Sequence, residues 1–348
     1  MSTIKAEQLQ AFITRALRAV DLPPDDAKRV AELMTRADLI GADGHGVFRL
    51  PQYIRRIRNR GINVRPNIRV VSERVAMALV DGDNGMGHLV MHFAAETAIA
   101  KAKTAGVAWV GVRQSNHAGP ASLYASMPMA HDMVGLYFAV GNANHLPPWG
   151  GIDMLLSTNP LAVAVPTDKE PPVVLDMAAT VAAYGKVKTK AQRGEMMPEG
   201  WMMDRQGRPL LDPKKSNEGF LLPIGGYKGY GLSMIIGLLA GTLNGAANGR
   251  DVVDFNVDNT TPTNTGHVIV AINVAMFQPV AEFKQSVDAF VRDIRNSQRL
   301  PGVDAIRLPG EGSHARLQES LKLGAPLSAP LLKSLNDLAA ELKIPALR

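Results

Sequence analysis

Apolar side chains at Leu9, Phe12, Ile13, Leu17 and Val20 recur with a helical period, which predicts a helix over residues 4–20 with Thr3 as a candidate N-cap. The break "DLPPDD" separates it from a second helix over 27–40 that stops at Gly41. "DGHG" (43–46) then reads as a tight loop before a third helix through "LPQYIRRIRNRG", where Pro51 suits only a first turn. Residues 1–72 therefore predict a helical segment. Beyond it the pattern changes to short apolar runs bounded by Gly, Pro and Asn. "IRVVSE", "MALVDGD", "VAWVGVR", "VGLYFAV", "LAVAVPT", "VVLDMA" and "HVIVAINV" read as strands, most of them buried, and "DRQGRPL" as a hairpin turn. A helix over 89–106 interrupts them, and further helices are expected at 281–297, 312–323 and 328–342.

Composition narrows the class. With 348 residues, 46% of them hydrophobic, the chain can bury a large core, but aromatics are only 5%, so that core must rest on Ala, Val, Leu, Ile and Met. Cysteine is absent, which excludes disulfides, thiolate nucleophiles and Cys-ligated metal. The net charge of +6 is mild, and the basic run at 55–65 lacks interleaved aromatics, so it reads as a solvated helix face and not a nucleic-acid platform. The positive field suits small anionic substrates. The uncharged stretch 229–249 could reach across a bilayer, yet its six glycines and two asparagines favour a buried core helix. The N-terminal helix carries charges and no apolar signal core, so a soluble, cytoplasmic chain with no membrane partner is expected.

The usual cofactor fingerprints fail. "GMGHLV" (85–90) has valine at the third glycine position of a dinucleotide fingerprint, and "GGYKGYG" (225–231) lacks the order of a phosphate loop. Glycine amides beside Lys228 would still suit a phosphate at a helix N-terminus; a tight turn with a solvated lysine is the alternative. In "DGHGVFRLPQY", His45, Arg49 and Tyr53 recur every four residues, so a helix starting near His45 would align them on one face. An arginine there could hold a carboxylate bidentately and a histidine could trade protons, although capping and salt bridging explain the same residues. His117, in "SNHAGP", sits at the mouth of a strand, where a structural role competes with access to a ligand. His88 and His92 are spaced like a metal pair, but no Glu follows His88 and no third ligand is evident, so no metal is assigned.

Taken in order, "DGHGVFRLPQYI", "GVRQSNHAG", "STNPLAVAVPT", "VVLDMA", "LPIGGYKGYGLSMIIGLLAGTLNGA" and "NTGHVIVAINVAMF" resemble the malate/L-lactate dehydrogenase family of the second type, across nearly the whole chain. That family includes ureidoglycolate, sulfolactate and 2,3-diketogulonate enzymes and reductases of cyclic imino acids. The resemblance implies an α+β fold: a non-Rossmann, largely antiparallel sheet binding NAD or NADP, flanked by helical N- and C-terminal segments, in a homodimer. It suggests a helical segment at 1–72, a dimerisation part at 73–125 and 299–348, and a cofactor-binding sheet domain at 126–298. His117 matches the family's proton donor and acceptor. His45 matches its catalytic partner, and Arg49 and Tyr53 its substrate contacts. Gly141 and Asn142 resemble the stretch flanking the nicotinamide. Asp176, Met177 and Ala178, then Lys228, then Pro309, Gly310 and Glu311 fall in its cofactor motifs. Three positions depart from the common pattern: Gly44 replaces a serine, Thr263 stands where some members carry a substrate-facing arginine, and His145 takes a usually apolar position near the substrate.

The resemblance implies reversible hydride transfer between NAD(P)H and C2 of a small 2-oxo acid, with cyclic or N-substituted 2-imino acids as the alternative substrates. Two other classes compete: a metal-dependent hydrolase using His45, His88, His92 and His117, and a non-catalytic basic binding module.

Overall fold

The computed structural model describes residues 2–347; Met1 and Arg348, at the ends of the expected N- and C-terminal segments, lie outside the described residues. A short strand β1 (Ser2–Ile4) leads into helices α1 (Ala6–Arg18), α2 (Pro24–Leu39) and α3 (Leu50–Arg58). Next come β2 (Arg69–Arg74), β3 (Met77–Asp81), α4 (Gly87–Ala105), β4 (Val107–Ser115), α5 (Ser122–Ala125), β5 (Met133–Ala139), β6 (Asn144–Leu146) and β7 (Leu156–Ser157). The middle of the chain continues through β8 (Leu161–Val165), β9 (Val173–Met177), α6 (Tyr184–Arg193), β10 (Met202–Asp204), β11 (Gly219–Leu221), α7 (Tyr227–Ile236) and β12 (Thr265–Asn273). It closes with α8 (Val280–Asn296), α9 (Glu311–Leu323), β13 (Ala325–Leu327) and α10 (Ala329–Leu342).

Seven strands form the central sheet in the order β2-β3-β4-β12-β5-β8-β9, and only β3 and β4 pair in parallel. That one parallel step needs a crossover, which α4 supplies. Its buried face is rich in alanine (Ala94, Ala95, Ala98 and Ala102), so the helix lies close against the sheet. The sheet is continuous across residue 126, because β2, β3 and β4 share it with β5, β8, β9 and β12. The helical termini make one separate core. Leu9, Phe12, Ile13 and Leu17 of α1 join Leu335, Leu338 and Leu342 of α10, and β1 pairs with β13 at its edge.

Three local expectations need correction. Thr3 does not cap α1: it lies in β1 opposite Pro326, and Lys5 takes the cap position, its amide donating to the Gln8 carboxamide at 3.3 Å. Helix α2 starts at Pro24, three residues before the expected point, because proline in a first turn lacks only an amide that has no helical partner there. The stretch 229–249 is not one buried core helix. Helix α7 ends at Ile236 and passes into a wide turn at Gly237–Gly241 and a tight one at Thr242–Asn244. A Cβ on Gly237 would lie 2.7 Å from the Asn248 side-chain oxygen, and one on Gly241 would lie 2.9 Å from the Ala247 carbonyl. Close packing therefore selects the residues that loosen the helix. Met234, Ile235, Leu238 and Leu243 remain exposed on its outer side. No described helix is long and apolar enough to cross a membrane.

Candidate active site

Strand β4 delivers His117. Its pairing with β12 shifts register between Thr265 and His267, and Gln114 adopts φ 51°, so the ladder ends there. Asn116 then clamps the exit. Its amide nitrogen donates to the Asn84 carbonyl (3.1 Å), the Asn84 side-chain oxygen (2.9 Å) and the Gly85 carbonyl (2.9 Å), while its own oxygen accepts from Thr263 at 3.0 Å. A Cβ on Gly87 would lie 2.1 Å from the Asn116 carbonyl oxygen. The glycine in "GMGHLV" thus serves close approach of α4 to the strand end.

His45, Arg49 and Tyr53 reach the same place by a route the sequence did not suggest. No helix begins near His45. The chain makes a 3-10 turn at Val47–Arg49, and α3 starts only at Leu50, because Pro51 has no amide to donate back to Val47. The turn is held from behind by the buried Asp38 carboxyl, which accepts from the Val47 amide at 2.8 Å and leaves no room for a side chain on Gly46. Burial pushes Asp38 up to about 8.

The rings then converge. His45 Nδ1 lies 3.3 Å from His117 Nε2, and the Tyr53 hydroxyl lies 2.5 Å from His117 Nδ1. The His45 and His117 rings lie nearly parallel, meeting edge to edge through those nitrogens (centroids 5.4 Å, 9° between planes), and the Phe255 ring lies beside His117 (5.4 Å, 29°). Arg49 donates through Nε to the Gly44 carbonyl and through Nη1 to the Asn256 side-chain oxygen, both at 2.9 Å, which leaves Nη2 without a partner among the described residues. Burial, then the charge of Arg49, pushes His45 down to about 4 and holds His117 well below the usual imidazole range. Burial also raises the Tyr53 phenol. Without an anion, the site is a set of neutral rings beside one arginine.

Of the remaining candidates, His88 is completely buried, edge-on to Tyr53, with neither ring nitrogen hydrogen-bonded among the described residues. His92 lies on the same helix near Arg29, Glu96 and Glu32, so the four histidines of a hydrolase do not converge. Among the described residues no group of three metal-capable side chains is placed to hold an ion. Thr263 is buried and faces inward, donating to the Ser115 carbonyl at 2.9 Å. His145, in β6, stacks on Tyr184 of α6 at 4.1 Å, and burial pushes it down to about 4.

Backbone and side-chain hydrogen bonds link the candidate cofactor residues segment by segment. The Gly141 amide donates to Asn159, which donates onward to the Ser233 carbonyl of α7; Asn142 donates to Thr265. The segment after Asp176, Met177 and Ala178 meets the Lys228 turn through the Ile224 amide and the Ala179 carbonyl, 3.0 Å apart. Gly225 and Gly226 hold φ of 58° and 66°, no side chain caps the first turn of α7, and Lys228 is exposed there. Uncapped amides beside an ammonium suit a dinucleotide phosphate. Pro309, Gly310 and Glu311 dock beside Val174 in β9, the strand that also carries Asp176 and Met177, and the Glu311 carboxylate is engaged by Arg295 and the Leu308 amide.

Sequence reasoning missed the turn at Asp254, Phe255 and Asn256, which touches both His117 and Arg49, because no motif marks a loop that follows those partners by well over a hundred residues. It also missed His267, whose nitrogens are held by Tyr137 (2.7 Å) and Ser115 (3.1 Å).

Comparison with known proteins gives this geometry its context. The family model described as malate/L-lactate dehydrogenase matches residues 4–336. A malate dehydrogenase of Pyrococcus abyssi is 37% identical, covering 99% of this chain and 96% of its own. An L-sulfolactate dehydrogenase of Methanocaldococcus jannaschii is 36% identical, covering 97% of each. The solved structure of malate dehydrogenase from Pyrococcus horikoshii superposes with a TM-score of 0.91 at 34% identity, covering 99% of this chain and 97% of that one. With these matches across nearly its whole length, and with paired histidines and an arginine gathered at one strand end, the chain belongs to the malate/L-lactate dehydrogenase family and is an oxidoreductase.

Proposed function

We propose that the protein transfers hydride reversibly between a nicotinamide cofactor and C2 of a small 2-oxo acid. The observation that carries this reading is the Tyr53–His117–His45 chain beside Arg49. The cofactor, NAD or NADP, supplies the hydride. Lys228 and the amides of its turn would hold its phosphates on a non-Rossmann sheet, with Gly141, Asn142, Asp176, Met177 and Ala178 alongside and Pro309, Gly310 and Glu311 at the sheet edge.

The protein's own groups handle charge and proton. Arg49 binds the substrate carboxylate through Nη2. That anion offsets the positive charge which, after burial, does most to hold His117 neutral, so substrate binding raises the affinity of His117 for a proton. Protonated His117 donates from Nε2 to the substrate oxygen, and the neutral ring takes the proton back in the oxidative direction. Tyr53 serves both states, because a phenol donates to Nδ1 in one tautomer and accepts from Nδ1–H when the ring is charged. His45 lies where it can polarise the carbonyl or relay the proton. His145 borders the substrate on the far side. The exposed apolar side chains Met234, Ile235, Leu238 and Leu243 support a homodimer as the active unit.

A reductase screen with NADH and NADPH against 2-oxo acids, with and without amines, tests the reading. Loss of the reduced-nicotinamide absorbance with a 2-oxo acid alone is the expected result. Loss only when an amine is present would move the substrate to 2-imino acids, and no loss with any combination would overturn the assignment.

A further inference from the structure

Strands β4 and β5 end on either side of the start of β12, because β12 pairs antiparallel with both: Ser115 lies opposite Thr265 and Ala139 opposite His267. One strand exit carries His117 and the other carries Gly141 and Asn142. Between them stand Thr265, the first residue of β12, and Thr263 just before it, both buried. Their side chains bridge the two exits. The Asn142 amide nitrogen donates to Thr265 Oγ1 at 2.8 Å, and the Thr265 hydroxyl donates to Thr263 Oγ1 at 3.0 Å. The Thr263 hydroxyl divides its proton between the Ser115 carbonyl at 2.9 Å and the Asn116 side-chain oxygen at 3.0 Å. The chain therefore ends on the residue that clamps the exit of His117.

This chain can run in one direction only. The Asn116 amide nitrogen is committed to three acceptors at Asn84 and Gly85, so its oxygen can only accept. Each hydroxyl has a single proton, so Thr263, which gives its own away, accepts from Thr265, and Thr265 in turn accepts from Asn142. A flipped Asn142 would set its oxygen against a hydroxyl with no proton left to give. The nitrogen end of this half-buried amide is thus turned inward, and Oδ1, without a hydrogen bond among the described residues, is the end left for a ligand. We propose that Thr263 and Thr265 are positioning residues that hold the Asn142 oxygen outward, where it accepts a hydrogen bond from the bound nicotinamide cofactor. Thr263 makes no hydrogen bond to Asn142, yet without its hydroxyl the Thr265 proton is free to go to the Asn142 oxygen, and the amide turns over. The proposal rests on the reductase reading above, in which Asn142 lies beside the cofactor, and names what keeps that contact oriented.

The test is a double-mutant cycle in cofactor binding. The full-length wild type, Thr263→Val, Thr263→Ser, Asn142→Ala and the Thr263→Val/Asn142→Ala double variant are titrated with NADH and with NADPH, following the fluorescence of the reduced cofactor. Thr263→Val should weaken the preferred cofactor by about three- to tenfold, the worth of one hydrogen bond, and Asn142→Ala by at least as much. Thr263→Ser, which keeps the hydroxyl, should bind as the wild type does. In the Asn142→Ala background the valine should have no further effect, since no amide is left to turn. Thr265→Val removes the middle link alone, should weaken the cofactor to a similar degree, and decides the question if Thr263→Val does not fold. Unchanged affinity in the valine variants, or a loss that adds in full to that of Asn142→Ala, overturns the relay while leaving the reduction standing; the threonines then only hold β12 against β4. Absence of binding of either cofactor to the wild type overturns the reduction and the proposal together.

Discussion

Two histidines on adjacent strands of this protein have nearly the same surroundings. His117 follows β4 and His267 lies in β12; each has Nδ1 within hydrogen-bond distance of a tyrosine hydroxyl, at 2.5 Å from Tyr53 and 2.7 Å from Tyr137. Burial depresses both, His267 to about 3. The difference lies at the other nitrogen. His267 Nε2 is 3.1 Å from the Ser115 hydroxyl, inside a closed polar chain, and the residue is 1% exposed. Among the described residues His117 Nε2 has only the ring of His45 at 3.3 Å, a long and replaceable partner, and the residue is 9% exposed. Arg49 acts on His117 and is absent from the influences on His267. A depressed imidazole with a tyrosine partner is therefore no mark of catalysis. What separates the two is an unsatisfied nitrogen beside a cation that an anionic substrate can neutralise.

The contrast can be broken at its strongest point by removing each ring. His117→Ala should lower kcat by about 10² to 10⁴, the usual worth of a positioned acid–base group, with little change in melting temperature. A variant that keeps near wild-type turnover would make the two histidines equivalent. A smaller effect is expected from Arg49→Lys, because an ammonium cannot reproduce a planar fork. Losing a charge-assisted hydrogen bond should cost about 1.5–3 kcal/mol in kcat/KM, with cofactor affinity unchanged. Equal efficiency in the lysine variant would reduce Arg49 to a structural tie between Gly44 and Asn256.

The tyrosines sharpen the comparison. Tyr137→Phe leaves a buried imidazole nitrogen unsatisfied and should lower stability by about 1–3 kcal/mol in a denaturant titration, with a modest effect on rate. Tyr53→Phe should do the reverse, shifting the pH profile of kcat because the proton-bearing ring loses its orienting partner. If both substitutions act on stability alone, the Tyr53 pair is structural too.

One further effect is shared by both regions. His45, His88, His117, His145 and His267 all sit below the ordinary imidazole value, so the unfolded chain binds more protons than the folded one between pH 6.5 and about 4. Stability should fall as pH drops through that window. Asp38, pushed up to about 8, works the other way: the unfolded carboxyl ionises first, so its contribution weakens stability as pH rises from about 4 to 8. Below pH 6.5 the five rings outweigh the one carboxyl and above it Asp38 acts alone, so calorimetry should find the highest melting temperature near pH 6.5. A melting temperature that is flat from pH 4 to about 6.5 would mean the rings are solvated and the shared burial is wrong.

Much of this arrangement was readable from residue order alone, because it is local. Short apolar runs bounded by Gly, Pro and Asn placed the strands of the central sheet, and helical periods placed most helices, within a few residues, while α6 had no expected counterpart. The run from His45 to Tyr53 and the strand-end His117 drew attention through their neighbours. What escaped is non-local or geometric. Pro51 changes how His45 is delivered without changing where it arrives. The partners of Arg49 and His117 at Asn256 and Phe255 come from a loop with no periodicity. His267 looks like any polar residue in a strand until Tyr137 and Ser115 are seen to enclose it. The glycines at 237 and 241, which counted only against a membrane span, are required by packing that opens the helix and leaves its apolar side exposed.

His117, and not His267, should gain a proton when an anion sits on Arg49. Histidine-selective ¹⁵N NMR at about pH 6, near the ordinary imidazole value, reads this directly in the presence of reduced cofactor with and without oxamate, a monoanionic analogue of a 2-oxo acid. Addition of oxamate should move the His117 nitrogens from the neutral to the protonated pattern, with His267 unchanged and the response lost in an Arg49→Met variant. A His117 signal that stays neutral with oxamate bound, or that shifts together with His267, would contradict it.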